Sequence, residues 1–342
     1  MGEAEKSVMR VVFAGSPGIA VPALRALAGL EAGGACVLAA VLTNPDSAKG
    51  RGGKSGPTEL AAAALEMGAG LKILKFEKLD EKAREEVAAL EPDLLVSFAY
   101  GKIFGPKFLA LFRLGGINVH PSLLPRWRGP TPVQAAILHG DAETGVCVQR
   151  LALEMDSGDI LARECFPLSG RETALSLGNT AAEKGAALAA ALLRRIAAEG
   201  RVPAGEKQGR EGLCYSSLIT KEMGRIDWRS GAAEIDRKIR AFTPWPLCPT
   251  CFAGAELYLL EGRPFAGDPA GLPGFPGGAG SAGSGGNAPP GTVLGTDREW
   301  GILIQTGGGI FAAERLQFPT KKALDWRAFL NGARNFVGSV LE

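Results

Sequence analysis

Asn118 and His120 are two residues apart at the end of the apolar run Gly116-Ile117-Asn118-Val119-His120. On a strand that spacing puts both side chains on one face. An amide donor and an imidazole at the carboxyl edge of a parallel sheet stand where α/β enzymes keep their chemistry. Asp156, in the Gly-containing turn Asp156-Ser157-Gly158-Asp159, follows the next strand and could reach the same crevice, where a carboxylate favours the protonated imidazole and fixes its orientation. No serine or cysteine pairs clearly with His120, since Ser122 lies across Pro121. Covalent catalysis is therefore disfavoured against direct attack of one substrate on another. Asn118 and protonated His120 could both donate to a developing oxyanion, which fits transfer of an acyl-type carbon to an amine. A buried structural histidine with a capping Asn remains the rival reading of the pair.

Elements able to hold such a trio are legible around it. Short apolar runs alternate with helical-period stretches, as in βαβ units around a parallel sheet. Strands are expected at 11–14, 36–42, 71–74, 94–99, 117–119 and 146–151, and helices at 21–30, 59–67, 81–90, 131–138 and 173–198. A second domain of brief strands is expected at 251–252, 256–260, 291–294, 301–305 and 310–316, after a short helix at 232–241. Such strands between Gly-rich turns argue a small barrel, of which the OB-fold is one form. The expected fold class is thus α/β, a Rossmann-like domain over 1–200, a linker at 201–217 and an OB-like domain over 218–342. Eleven glycines and six prolines in 262–291 leave too few apolar side chains to order that stretch, which reads as a disordered hairpin insertion.

Length agrees with two domains: 342 residues exceed the usual single core. A net charge of +2 means that a polyanion must be held by a local basic patch. Six cysteines in apolar surroundings read as free thiols of a reducing cytoplasm. The charged first ten residues form no secretory leader, and no apolar run spans a membrane. With two histidines in the chain, no zinc site is expected.

Other motifs carry less. Gly15-x-x-Gly18 lacks the full dinucleotide spacing and reads as a tight turn. Gly53-Lys54-Ser55 is not a P-loop, because Ala48 stands where the first glycine belongs. The long Gly-rich loop 44–57 nevertheless carries Lys49, Arg51 and Lys54, side chains that could follow an RNA backbone; a solvated loop has similar weight. Cys248-Pro249-Thr250-Cys251 precedes a strand rather than a helix, against a redox dithiol.

The segments Phe13-Ala14-Gly15-Ser16-Pro17, Ala99-Tyr100-Gly101, Ile117 to Gly129 (INVHPSLLPRWRG), Gly140 to Val146 and Met155 to Ile160 resemble the methionyl-tRNA formyltransferases. So do Arg225-Ile226-Asp227-Trp228 and Ala241 to Pro246. The resemblance implies a Rossmann-like formyltransferase domain followed by an OB-like domain. It also implies 10-formyltetrahydrofolate as co-substrate and methionyl-initiator tRNA as partner and acceptor, without a metal, in a cytoplasmic monomer. By the family pattern Asn118, His120 and Asp156 match the catalytic trio, Ser122, Leu123, Leu124 and Pro125 the folate-binding stretch, and Lys49, Arg51 and Lys54 the tRNA-binding loop. Ser157 and Leu153 stand where the family has Thr and Gly. A formyltransferase for a small amine, a deformylating hydrolase and a non-enzymatic RNA-binding protein are the alternatives, and formyl transfer to methionyl-tRNA separates them.

Overall fold

The computed structural model describes residues 8–48, 55–68, 70–268 and 288–342. The chain divides into two compact units. Unit 1 holds residues 1–132, 143–167 and 177–217; unit 2 holds 133–142, 168–176 and 218–342. Residues 201–217, read above as a linker, group with unit 1.

Unit 1 begins with β1 (Met9–Gly15), α1 (Val21–Ala32), β2 (Cys36–Thr43), the two-residue strands β3 (Ser47–Ala48) and β4 (Ser55–Gly56), and α2 (Glu59–Glu66). It continues through β5 (Ile73–Lys75), α3 (Glu81–Ala88), β6 (Leu94–Phe98), α4 (Pro106–Leu109) and β7 (Gly116–His120). After α5 (Pro132–His139), which groups with unit 2, come β8 (Glu143–Arg150), β9 (Ile160–Pro167) and α6 (Ala174–Glu199). The sheet order is β5-β2-β1-β6-β7-β8-β9. Strands β5 to β7 of that order are parallel, as expected, whereas β8 runs antiparallel to β7 and β9 antiparallel to β8.

Alternation along β1 shows how the sheet is sandwiched. Val11 and Phe13 join a core with Leu24 and Leu27 of α1 and Leu193 and Ile196 of α6. Val12 and Ala14 face a second core with Val87 of α3 and the aromatic run Phe104, Phe108 and Phe112. Each such fully buried side chain stabilises the fold by about 1.5–3 kcal/mol. α6 approaches β7 closely because its inner face is made of small residues. A Cβ on Gly185 would stand 2.8 Å from Val119 Cγ1, one residue before His120. Helix starts follow local chemistry: the Thr58 and Asp80 side chains accept from Ala61 N and Ala83 N at the heads of α2 and α3.

One local expectation changes and one is given its physical cause. The loop 44–57 carries a small ladder at its base, with Ser47 opposite Gly56 and Ala48 opposite Ser55. At Gly15-x-x-Gly18 the turn is tight because a Cβ on Gly15 would lie 2.6 Å from Phe98 O. The N–H of Gly18 donates to Glu59 Oε2 at 2.6 Å, so a carboxylate occupies the place where a phosphate would sit.

Unit 2 contains α7 (Ala232–Phe242), β10 (Cys248–Phe252), β11 (Ala255–Pro264), β12 (Val293–Asp297), β13 (Gly301–Gln305), β14 (Ile310–Gln317), β15 (Leu324–Asp325) and α8 (Trp326–Gly332). Its antiparallel sheet runs β10-β11-β14-β13-β12, with β15 added on β14. The expected OB-like barrel is therefore described as an antiparallel sheet whose edges, β10 and β12, do not pair with each other. The last residues bridge them instead. Cys251 and Glu342 exchange backbone hydrogen bonds on one side, while Val293 N donates to Ser339 O and Leu341 N to Gly291 O on the other.

The expectation of disorder across 262–291 is corrected at its start. Gly262, Arg263 and Pro264 belong to β11 and pair with Ala313, Ala312 and Phe311. Glycine at 262 allows this pairing, since a Cβ there would lie 2.3 Å from Phe311 Cζ. Residues 269–287 of that stretch lie outside the described residues. Trp228 crosses near Phe311, and its indole N–H donates to Thr250 Oγ1 at 2.9 Å. Cys248 and Cys251 both lie on β10, and burial pushes the Cys248 thiol up to about 12, which removes the dithiol reading.

Candidate active site

The end of β7, the loop after it and the Asp156 turn meet in unit 1. Asn118 pairs in register with Gln149 of the neighbouring antiparallel strand β8. Asp156 Oδ1 is the focus: Gln149 Nε2 donates to it at 2.9 Å and Asn118 Nδ2 at a long 3.5 Å, while His120 Nδ1 stands 3.6 Å away. The other oxygen, Oδ2, accepts from Gly129 N at 2.8 Å. The three groups singled out by sequence thus share one crevice.

The imidazole is fixed by its far nitrogen. His120 Nε2 lies 2.8 Å from Trp127 O. A carbonyl only accepts, so Nε2 carries a hydrogen and Nδ1 is the nitrogen left to serve a reaction. His120 is buried, and its Nδ1 faces Asp156 without a direct bond to it. Trp127 and Asp156 both have left-handed φ, +57° and +51°. Non-glycine residues rarely hold that conformation, and when they do they cluster at functional sites.

Glycines make the close approaches possible. A Cβ on Gly158 would lie 1.9 Å from Arg150 O, and Arg150 N donates to Asp159 O at 2.9 Å, so the Asp156 turn is pinned onto the end of β8. Gly129 has φ +105°, and a Cβ there would lie 2.6 Å from Ser216 O. That close approach lets its N–H reach Asp156.

The expected folate-binding residues are placed unequally. Ser122 is fully buried and its hydroxyl donates to Arg126 O at 2.6 Å, so it holds the loop closed. Leu124 is buried with Cys147 and Ile160. Leu123 packs where a Cβ on Gly145 would be, 2.4 Å from its Cδ2, and Pro125 is half-buried. Lys49, Arg51 and Lys54 lie outside the described residues. Cavities of about 370 Å³ beside Cys251 and Arg334 in unit 2, and about 330 Å³ beside Lys75 and Glu77 in unit 1, do not include the trio. Among the described residues no helix is long and apolar enough to cross a membrane, and no three His, Cys, Asp or Glu are grouped to hold a metal ion.

Two polar neighbours of the trio escape the sequence reading. Gln149 could have been found as the polar residue in the buried run Val146-Cys147-Val148-Gln149. Arg128 is buried, and its side chain reaches Gln208, Tyr215 and Glu154 across long sequence separations that leave no periodic signal.

Comparison with known proteins follows the same lines. The profile described as "Formyl transferase" matches residues 9–193, and "Formyl transferase, C-terminal domain" matches 218–334. A methionyl-tRNA formyltransferase of Treponema denticola is 44% identical over 337 residues, 96% of this chain and 98% of that protein. Its counterpart in Methylococcus capsulatus is 36% identical over 324 residues, 94% of this chain and 96% of that protein. Among solved structures, WlaRD, a sugar 3N-formyl transferase, superposes with a TM-score of 0.60 at 20% identity, covering 92% of this chain and 99% of its own. HypX from Aquifex aeolicus, solved with tetrahydrofolic acid, superposes with a TM-score of 0.60 at 18% identity, over 97% of this chain and 49% of its own. At those identities the two structures share the fold.

Proposed function

This chain belongs to the methionyl-tRNA formyltransferase family, and from that premise we propose that it transfers a formyl group from 10-formyltetrahydrofolate to the α-amine of methionyl-initiator tRNA. The observation that carries the reading is the convergence of Asn118 Nδ2, His120 Nδ1 and Gln149 Nε2 around one carboxylate oxygen of Asp156.

In the proposed mechanism each group has a separate task. Asn118 donates an amide hydrogen to the formyl oxygen as that oxygen gains negative charge. His120, held by Trp127 O through Nε2, presents Nδ1 beside it. Asp156 orients the imidazole and accepts, through a water, the proton lost by the attacking amine. The folate supplies the activated carbon: a bond forms from the amine nitrogen to the formyl carbon, the bond to the folate nitrogen breaks, and that nitrogen takes up a proton.

The stretch Ser122 to Pro125 is proposed to line the folate through its backbone and through the half-buried edges of Leu123 and Pro125. The inward placement of the Ser122 hydroxyl and the Leu124 side chain supports that division. Lys49, Arg51 and Lys54, which lie in the sequence between the paired strands β3 and β4, are proposed to meet the tRNA backbone. The chain is proposed to act as a cytoplasmic monomer. Incubation with 10-formyltetrahydrofolate and charged initiator tRNA, read by mass spectrometry of the released aminoacyl group, should show formylmethionine. Its absence with active folate and intact methionyl-tRNA would refute the reading.

A further inference from the structure

The Asp156 carboxylate stands at one end of a chain of side chains that begins in residues 201–217. Arg128 donates through Nε and Nη2 to Gln208 Oε1, at 3.0 and 2.8 Å. The Gln208 amide nitrogen faces three acceptors: Gly158 O at 2.7 Å, Asp156 O at 2.8 Å and Gln149 Oε1 at 3.1 Å. Gln149 then donates through Nε2 to Asp156 Oδ1.

The direction of this chain is determined at both ends. The two ends of a carboxamide have nearly the same shape and differ only in donating or accepting. A guanidinium only donates, so it selects the oxygen of Gln208 and turns the amide nitrogen toward Gln149. An ionised carboxylate only accepts, so the last amide must offer it hydrogen. Arg128 and Gln149 are 6% and 2% exposed, so neither reverses without burying an unsatisfied polar group.

We propose that Gln208 is a positioning residue for formyl transfer, acting through Gln149 to aim the Asp156 carboxylate at His120; the proposal rests on the catalytic reading of Asp156 given above. The turn itself is secured without Gln208. Gly158 packs on Arg150, Arg150 N pairs with Asp159 O, and the Ser157 hydroxyl donates to Glu154 O. What Gln208 adds is the orientation of the amide that touches the carboxylate, together with a second hold on the carbonyls of Asp156 and Gly158.

The test uses the full chain with Gln208→Met, Gln149→Met and the double variant, each checked by thermal melting and assayed for kcat and for both KM values. Either single substitution should lower kcat on the order of tenfold, the size of outer-layer effects on positioned catalytic groups. KM for the folate and for methionyl-tRNA should stay within about twofold, and the double variant should be no more than about twofold below the worse single one, since both cut one chain. Gln208→Glu, which keeps the acceptor for Arg128 and removes the donors, should behave as Gln208→Met. A folded Gln208→Met enzyme with unchanged kcat overturns the proposal, as does a fully multiplicative loss in the double variant. If Gln208→Met fails to fold, Gln149→Met decides alone, and unchanged kcat there is equally fatal. A wild-type chain that makes no formylmethionine removes the functional reading itself, whereas an active wild type with an unaffected Gln208→Met removes only this relay.

Discussion

The strand ends of unit 1 and the sheet of unit 2 use burial in opposite ways. Around β7 and β8 the buried groups include His120, Ser122, Arg128 and Gln149, and their polar atoms are matched to one another or to backbone carbonyls. In unit 2 apolar side chains dominate the interior: Leu257, Leu259, Ile302, Ile304 and Phe311 are fully buried, beside the buried polar Thr250, Gln305 and Thr306. Its buried Thr250 hydroxyl serves as a tie, accepting from Trp228 and donating to Glu342 O. Where many polar groups are buried and matched, the molecule gains a fixed chemical geometry at the expense of easy packing; where apolar side chains dominate, it gains stability.

Substitutions can pull that contrast apart. Phe311→Ala in unit 2 should lower unfolding free energy by about 3–5 kcal/mol through cavity formation, measured by denaturant titration, with kcat of the folded enzyme near wild type. Loss of kcat at full folding would erase the distinction. Asn118→Ala should do the reverse, reducing kcat on the order of 10²–10³-fold in steady-state assays with a small change in melting temperature and in folate KM. Changing Lys49, Arg51 and Lys54 together to Ala should raise KM for tRNA about tenfold and flatten its dependence on salt, leaving folate KM alone. An unchanged salt slope would dismiss the loop as an RNA contact.

The smallest effect marks where the regions are alike. Burial pushes the Cys147 thiol of β8 up to about 11, with a further contribution from Glu206 opposed by a hydrogen bond from Leu124 and by Arg163, and it pushes Cys248 of β10 to about 12. A raised thiol pKa means less thiolate, about one part in a thousand at pH 8 for a value of about 11. Iodoacetamide at pH 8 should modify Cys165, whose thiol is raised as well but lies open to solvent, and spare the two buried thiols, as peptide mapping would show; equal labelling would mean that one of the two interiors opens.

Legibility in the sequence followed the range of the interaction. β1, β2, β6 and β13 were readable because their apolar runs are local. Asn118 and His120 were readable because a two-residue spacing on a strand is local too. The antiparallel entry of β8 and β9 was not: Ile160–Pro167 buries only Ile160 and otherwise holds half-buried and exposed residues, and its pairing with β8 is set by a turn rather than by composition. α8 was missed as well, since its seven residues carry one buried side chain, Phe329. Gln208 was hidden by the polar, Gly-containing look of 201–212. Those residues place their polarity against Arg128, Arg150 and the Asp156 turn, with Arg150 Nη2 donating to Val202 O and Pro203 O. Only folding brings them there.

The bridging tail of unit 2 has a practical meaning for anyone handling this chain. Residues 338–342 cover two strand borders at once, so clipping them would leave unpaired the N–H and C=O of Cys251 on one side and of Val293, with the C=O of Gly291, on the other. Such borders invite other chains to add strands, and a nicked preparation should self-associate through them.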